Sequence, residues 1–286
     1  MNFSRAAQPA WWRPPDVDVR PLERRHIAPG PLDGVGVVIT RPQRQAAGLA
    51  RKLASAGATP LIWPAIVILP PPDRAALDAA HAALSSYDIA VFVSANAVEY
   101  GVPDAARWPS ALRVFAPGPG TAEALAAVGV TGVRIPVTTF DSEGLLALPE
   151  LEHVDGAHVV IFRGQSGRTL LGATLTQRGA RVDYVACYRR TAPTSGAQGL
   201  LEALRKGRAH AITLSSAEGI DNLLAAVGIE GRTLLERIPA FVPHPRIAQH
   251  ARRAGLPVVT TAAGGDAGLV AGLLEWFAAH PIAHEG

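Results

Sequence analysis

Six short stretches carry residues able to do chemistry. They are Arg41, the run Ser94 to Asn96, Gly118 with Gly120 and Thr121, the pair Arg163-Gly164, Ser215-Ser216, and His244-Pro245-Arg246. Each follows a run of apolar residues that reads as a strand. The set consists of small hydroxyls, glycine backbone and a few guanidinium groups. Such groups hold carboxylates and other anions by hydrogen bonds from hydroxyl and backbone N–H donors, with arginine adding charge-assisted pairing. Residues 115–125 (FAPGPGTAEAL) are the clearest instance. A strand, a Pro- and Gly-rich turn and a helix start, with Thr121 as the expected cap, direct free N–H groups and the positive end of a helix dipole to one point. A tight turn between strand and helix uses the same residues, so a plain turn stands beside anion binding. Capping competes with binding likewise at Ser94 and Ser215, natural N-cap residues. Arg41 and Arg163 are equally suited to capping carbonyls or pairing with an aspartate, and Asp141 and Asp266 read as helix caps.

Several chemistries are missing. No pair of carboxylates falls at strand ends, no Ser-His-Asp grouping can be placed, and no P-loop lysine occurs. Gly34-Val35-Gly36 precedes its strand instead of following it, so it is not a dinucleotide fingerprint. The nine histidines lack ligand spacing, so no metal is expected. The single Cys187 excludes an internal disulfide framework and sits in an apolar strand, where a buried, inert thiol is expected.

The elements that must position these residues alternate. Strands are expected at 35–41, 88–94, 112–115, 132–136, 158–163, 181–188, 210–215, 238–242 and 257–261. Helices are expected at 43–56, 73–85, from Ser94, at 122–128, 142–151, 169–178, 200–206, 216–227, 244–254 and 266–278. Alternation of this kind implies α/β layers on mainly parallel sheets. Residues 59–69 are extended but interrupted by Pro64 and stiffened by Pro70-Pro71-Pro72, which suits a crossover between domains.

The chain repeats itself. VVITRPQRQAAGLARKLASAGATPLIWPAI is similar to VVIFRGQSGRTLLGATLTQRGARVDYVACY, and YDIAVFVSANAVE to AHAITLSSAEGID. VFAPGPGTAEALAAVG matches AFVPHPRIAQHARRAG, and FDSEGLLALPEL matches GDAGLVAGLLEW. The spacing holds from Arg41–Arg163 to Asp141–Asp266, which independent turns would not keep. Two related lobes follow, with a cleft between them as the expected ligand site.

At 286 residues, 48% hydrophobic and 18% charged, the chain suits a globular protein of two domains. No apolar run approaches the ~20 residues of a membrane span, and no signal peptide is recognisable, so a cytoplasmic protein is expected. The net charge of +3 is scattered, with no basic block or reading motif for nucleic acid. No exposed apolar helix face is evident, so a monomer is expected.

The ordered motifs together resemble uroporphyrinogen-III synthase: VITRP (38–42), FVSANAV (92–98), APGPGTAEAL (116–125), FDSEGLLAL (140–148), IFRG (161–164), Tyr188 before Arg189-Arg190, SSAEGI (215–220) and VPHPRIA (242–248). The resemblance covers about residues 34–278. It implies two α/β lobes joined by a two-stranded extended connector, one lobe discontinuous. Mapped here, lobe one is 34–63 plus 193–278, lobe two is 70–186, the connectors are 64–69 and 187–192, and 1–33 forms a mobile Pro- and Arg-rich arm. The implied reaction cyclises hydroxymethylbilane, received from the preceding deaminase, with loss of water and inversion of ring D through a spiro intermediate, without a cofactor. The bilane closes unaided to the symmetric isomer, so the protein's task is chiefly positioning. Tyr188 matches the family's favoured proton donor. A free phenol, with a pKa of about 10, keeps its proton at neutral pH and can donate it. The alternative role for such a tyrosine is to pack the hinge. His244-Pro245-Arg246 departs from the Gly-rich pattern of its sibling at 118–120. An inactive two-lobed tetrapyrrole-binding or regulatory protein is the competing reading, and a nucleic-acid binder with an Arg-rich arm is the third.

Overall fold

Strands buried on both faces dictate the architecture. β1 (Gly36–Ile39) is fully buried, as a central parallel strand must be when helices cover both faces of its sheet. α1 (Gln43–Ser55) follows, burying Ala46, Leu49, Ala50 and Leu53 on one stripe. Gly57, at φ 94°, ends it in the left-handed conformation that glycine adopts freely. β2 (Thr59–Ile62) returns beside β1, the chain bends through Trp63 to Ile66, and β3 (Val67–Leu69) begins a second sheet. α2 (Ala75–Ala82), β4 (Ile89–Phe92), α3 (Ala95–Gly101), β5 (Arg113–Phe115) and α4 (Pro119–Ala127) come next. Then follow α5 (Ser142–Leu146), α6 (Pro149–Glu152), β6 (His158–Gly164), α7 (Leu170–Gln177) and β7 (Arg181–Thr191). The chain ends with α8 (Gln198–Arg205), β8 (Ala211–Thr213), α9 (Ala217–Leu235), β9 (Ala240–Val242), α10 (Pro245–Arg253), β10 (Val258–Thr260) and α11 (Gly265–Ala279). A computed structural model describes residues 32–103 and 108–282.

Two compact units result. Ile68–Thr191 forms one, and the described residues on either side of it form the other. The flanking unit has the sheet order β10-β9-β8-β1-β2, and the inner unit β3-β7-β6-β4-β5. The recorded pairings, β1 with β2 and β8, β8 with β9, β9 with β10, and β6 with β4 and β7, are parallel, as is β4 with β5. The fold is therefore α/β on parallel sheets, in two units of matching strand order.

Alternate residues on each strand serve opposite faces. In the flanking unit, Val38, Ile212 and Val242 join a core with the apolar residues of α8 and α9, while Val37, Ile39 and Phe241 join Leu49, Leu53, Leu269 and Leu273 from α1 and α11. In the inner unit, Phe92 stacks on Phe162 with centroids 4.6 Å apart and planes at 11°. An aromatic pair of this kind adds about 0.5–1.5 kcal/mol beyond its buried area. On the opposite face Ile89, Val91, Phe115 and Ile161 pack with Leu145, Leu171 and Leu175.

Several local expectations are corrected. The expected helix 142–151 is two helices, because Pro149 cannot continue the first and instead starts the second at its first position. The expected strand at 132–136 is reduced to one bridge between Phe115 and Arg134. The helix expected to end near Val227 does break there, at the non-helical Gly228, but a second helical stretch that was not expected continues across the kink to Leu235. Leu32, expected in the arm, is fully buried among Val35, Leu49 and Leu53. The remainder of the arm, 1–31, lies outside the described residues.

Candidate functional site

In both sheets the chain leaves two neighbouring central strands in opposite directions. β4 leads to β5 on one side and β6 leads to β7 on the other; β1 and β8 diverge in the same way towards β2 and β9. Such switch points leave a crevice beyond the strand C-terminal ends, where open α/β sheets bind ligands.

In the inner unit this point brings Ser94, Gly164 and Tyr188 together. Ser94, extended at φ −168°, caps α3 by accepting the Ala97 N–H at 3.2 Å. The cap is worth about 1 kcal/mol. The same Oγ lies 3.2 Å from the Tyr188 hydroxyl. Tyr188 reaches it because of an irregularity in the β6–β7 register: Arg163 pairs with Ala186, but Gly164 pairs with Tyr188, so Cys187 is an extra residue. A bulge re-aims the side chain that follows it, and two successive residues, Cys187 and Tyr188, are buried here. The glycine at 164 makes room for the ring. A Cβ there would lie 2.9 Å from Tyr188 Cζ and 3.0 Å from Cε2. Tyr188 is 4% exposed, and its ring lies near Tyr100, with centroids 6.4 Å apart.

Cys187 itself points into the core, with Sγ donating to the Arg163 carbonyl at 3.3 Å. Burial pushes its thiol up to about 12, so the thiolate is suppressed and the residue is an inert packing group.

The turn at 117–121 differs from expectation. Gly118, not Thr121, is the N-cap of α4, and Pro119 occupies the first helical position. Thr121 is buried within the first turn. Its N–H and that of Ala122 both bond to the Gly118 carbonyl at 3.2 Å, and Pro119 has no N–H. The backbone therefore offers fewer donors than the expected cradle, with Gly120 exposed at its rim. A residue the sequence reading passed over stands beside it: Phe140 is 54% exposed, and a Cβ on Gly118 would lie 3.1 Å from Phe140 Cβ. Phe140 lies in the quoted FDSEGLLAL stretch, one residue before the Asp141 that caps α5 through the Gly144 N–H at 2.9 Å. Among the described residues Arg163 neither caps nor meets an aspartate; its guanidinium carbon lies 5.1 Å from the Tyr184 ring centroid, in cation–π geometry. Asn96 lies in the first turn of α3.

In the flanking unit the switch point holds Arg41, Ser215 and Ser216. Two buried hydroxyls tie the strands just below: Thr40 Oγ1 donates to the Thr213 carbonyl at 2.8 Å, and Thr213 Oγ1 to the Val38 carbonyl at 3.1 Å. Arg41 is bound to Asp266, so Asp266 is not a cap; it lies in the first turn of α11 behind the N-cap Gly264. A carboxylate suits that end of a helix. The guanidinium is thereby partly neutralised. Ser216 caps α9 as expected for the residue that opens this helix, accepting the Gly219 N–H at 3.0 Å, and Ser215 is not the cap. Ser215 is half-buried and its hydroxyl makes no hydrogen bond among the described residues. His244 caps α10 through Nδ1, which accepts the Arg246 N–H at 3.2 Å, and both side chains are exposed.

Among the described residues no group of three His, Cys, Asp or Glu is arranged to hold a metal ion. No described helix is long and apolar enough to cross a membrane.

Comparison with known proteins identifies the family and the fold. The family model described as uroporphyrinogen-III synthase HemD matches residues 47–269. A uroporphyrinogen-III synthase of Salmonella typhimurium is 36% identical over 162 residues, 55% of this chain and 66% of the relative, slightly less than two thirds of its length. The synthase of Synechococcus elongatus is 32% identical over 208 residues, 68% of this chain and 76% of that one. The crystal structure of the Helicobacter pylori uroporphyrinogen-III synthetase is similar in fold, with a TM-score of 0.56 at 12% identity, over 85% of this chain and 99% of that one. A Thermus thermophilus uroporphyrinogen III synthase mutant gives 0.55 at 23% identity, over 86% and 98%. With a family model running through most of both units, from α1 to α11, the chain belongs to the uroporphyrinogen-III synthase family.

Proposed function

We propose that the chain is a uroporphyrinogen-III synthase, converting hydroxymethylbilane to the type III macrocycle with ring D inverted and water lost. In class it is a carbon–oxygen lyase, working as a monomer in the cytoplasm on bilane supplied by the preceding deaminase. The observation that carries the reading is membership of the family over residues 47–269, which include the inner switch point and the β8 side of the flanking one. The residues there suit the reaction. Hydroxymethylbilane carries acetate and propionate chains, and the half-buried Ser215 hydroxyl and the exposed Arg246 and His244 side chains are donors without an acidic partner among the described residues. Asn96, Gly120, Arg163 and Ser216 line the same strand ends, and Arg41 would meet a carboxylate only in competition with Asp266.

Ring closure occurs unaided to the wrong isomer, so the protein has to hold one conformer and assist loss of the terminal hydroxyl. Tyr188 is the proton donor in this scheme. Its support is position: a bulge and a glycine bring its hydroxyl to Ser94 at the inner switch point. The test feeds porphobilinogen through a bilane-producing deaminase, adds this protein, oxidises the products and separates the isomers. Mainly type III supports the synthase. Type I alone, with tight tetrapyrrole binding, would move the function to binding or regulation.

A further inference from the structure

Tyr188 and Ser94 share an unequal hydrogen-bond account. A hydroxyl oxygen has one proton to give and two acceptor sites. Ser94 Oγ accepts the Ala97 N–H and meets the Tyr188 hydroxyl; among the described residues these are the hydrogen bonds that the two side chains make. The pair therefore holds two protons, and the bond between them uses one. The other has no acceptor among the described residues. Exposure decides which oxygen presents it. Tyr188 is 4% exposed, whereas Ser94 is half-buried. With Tyr188 donating to Ser94 Oγ, both acceptor sites on that oxygen are filled and its own proton points away from them.

The repeat provides an internal contrast. Ser216 caps α9 as Ser94 caps α3, but on the spacing that relates Arg41 to Arg163, Tyr188 falls opposite Ile66. Helix capping alone needs no phenol, and only the inner unit has one.

We infer that Ser94 is a further catalytic residue, the terminal donor of a two-hydroxyl relay fed by Tyr188. The inference rests on the synthase reading above. Ser94 Oγ–H protonates the terminal hydroxyl of the bilane as its C–O bond breaks, releasing water and the azafulvenium cation. Ser94 regains a proton from Tyr188, which becomes the phenolate. Closure and rearrangement later release one proton from a pyrrole carbon, and this restores the phenol. No electrons are gained or lost.

The test measures steady-state kinetics and isomer ratio on the full chain with enzymatically supplied bilane. Ser94→Ala and Tyr188→Phe are each expected to lower kcat on the order of 10²-fold, the lower end for general acid catalysis, with KM within about twofold. The double variant is expected to be no slower than the slower single, since both break one relay. Ser94→Thr keeps hydroxyl and cap and should recover most of the loss. Ser94→Asn keeps a good cap but has no hydroxyl; it should recover thermal stability and not rate. Ser94→Ala with wild-type kcat, a rate restored by Asn, or losses that multiply in the double variant would each overturn the relay. A wild-type protein that yields only type I would instead sink the synthase reading beneath it.

Discussion

Gly164 shows how much one missing methyl group decides. A Cβ there would fall 2.9 Å from the Tyr188 ring, closer than any real Cβ contact, so the ring must move. Gly164→Ala is therefore expected to leave a folded protein whose kcat falls about 10²-fold, because a displacement on the order of 1 Å is enough to misplace a donor. Unchanged kcat in a variant with a normal melting temperature would show that the phenol's position is not critical. Many of the residues at the strand ends were legible in the sequence, since apolar runs followed by Gly, Ser or Arg mark where strands stop. Their partners were not. Ser94 and Tyr188 meet across 94 positions, and Arg41 and Asp266 across 225. Such meetings depend on strand order, which local periodicity does not carry. The bulge at Cys187 was equally hidden, because one extra residue in an apolar run leaves the run apolar.

At the level of elements, the N-terminal ends of β4 and β6 are held by a polar cluster remote in the strand direction from the candidate site. The Tyr87 hydroxyl donates to Asp183 Oδ2 at 2.9 Å, His158 Nε2 lies 2.9 Å from the same oxygen, and the Tyr87 and His158 rings are 4.2 Å apart. Burial pushes the Asp183 carboxyl up, but the hydrogen bonds from His158 and Tyr87 and the charges of His158 and Arg181 outweigh it and leave it below the usual value. Burial, with the bond to Asp183, pushes the Tyr87 phenol up to about 12. The signs are opposite in pH. A depressed carboxylate stabilises the fold above its unfolded value near ~3.9, and that contribution is lost as pH falls below it. A raised phenol stabilises below ~10, and its contribution is lost as pH rises from there towards 12. Denaturant titrations across pH should show a shallower acid limb for Asp183→Asn and a shallower alkaline limb for Tyr87→Phe; limbs parallel to wild type would remove the cluster from the account. α9 offers a backbone counterpart. Gly228 has φ 63° and ψ −162°, a region open essentially to glycine, and a Cβ would touch nothing within 4 Å. Gly228→Ala should cost about 1–3 kcal/mol in urea unfolding through backbone strain alone. A neutral result would mean that the helix simply straightens. The sequence reading stopped the helix near this glycine, where the structure kinks; what it did not expect is the second helical stretch to Leu235, which buries Gly231 and Leu235.

At the level of the whole molecule, the inner unit is one continuous stretch, Ile68–Thr191, with its own sheet and two apolar cores. Expressed alone, these residues should melt cooperatively with coincident far- and near-ultraviolet circular dichroism, the behaviour of a two-state domain. A molten species binding a hydrophobic dye would show that the unit depends on the rest of the chain. The two-unit organisation was legible because the repeated motifs kept one spacing, and Pro64 marked where the chain leaves one sheet for the other. That repeat and those units do not coincide. The first copy supplies β1 and β2 to one sheet and β3, β4 and β5 to the other; the second copy supplies β6 and β7 to the latter and β8, β9 and β10 to the former. Neither copy owns a complete sheet. The chain is thus an exchanged dimer of its own halves, tethered by the few residues between α6 and β6. A nick in that tether should leave two fragments that are unfolded apart and fold on mixing, so that fragment complementation, not independent domains, is the inheritance of the duplication.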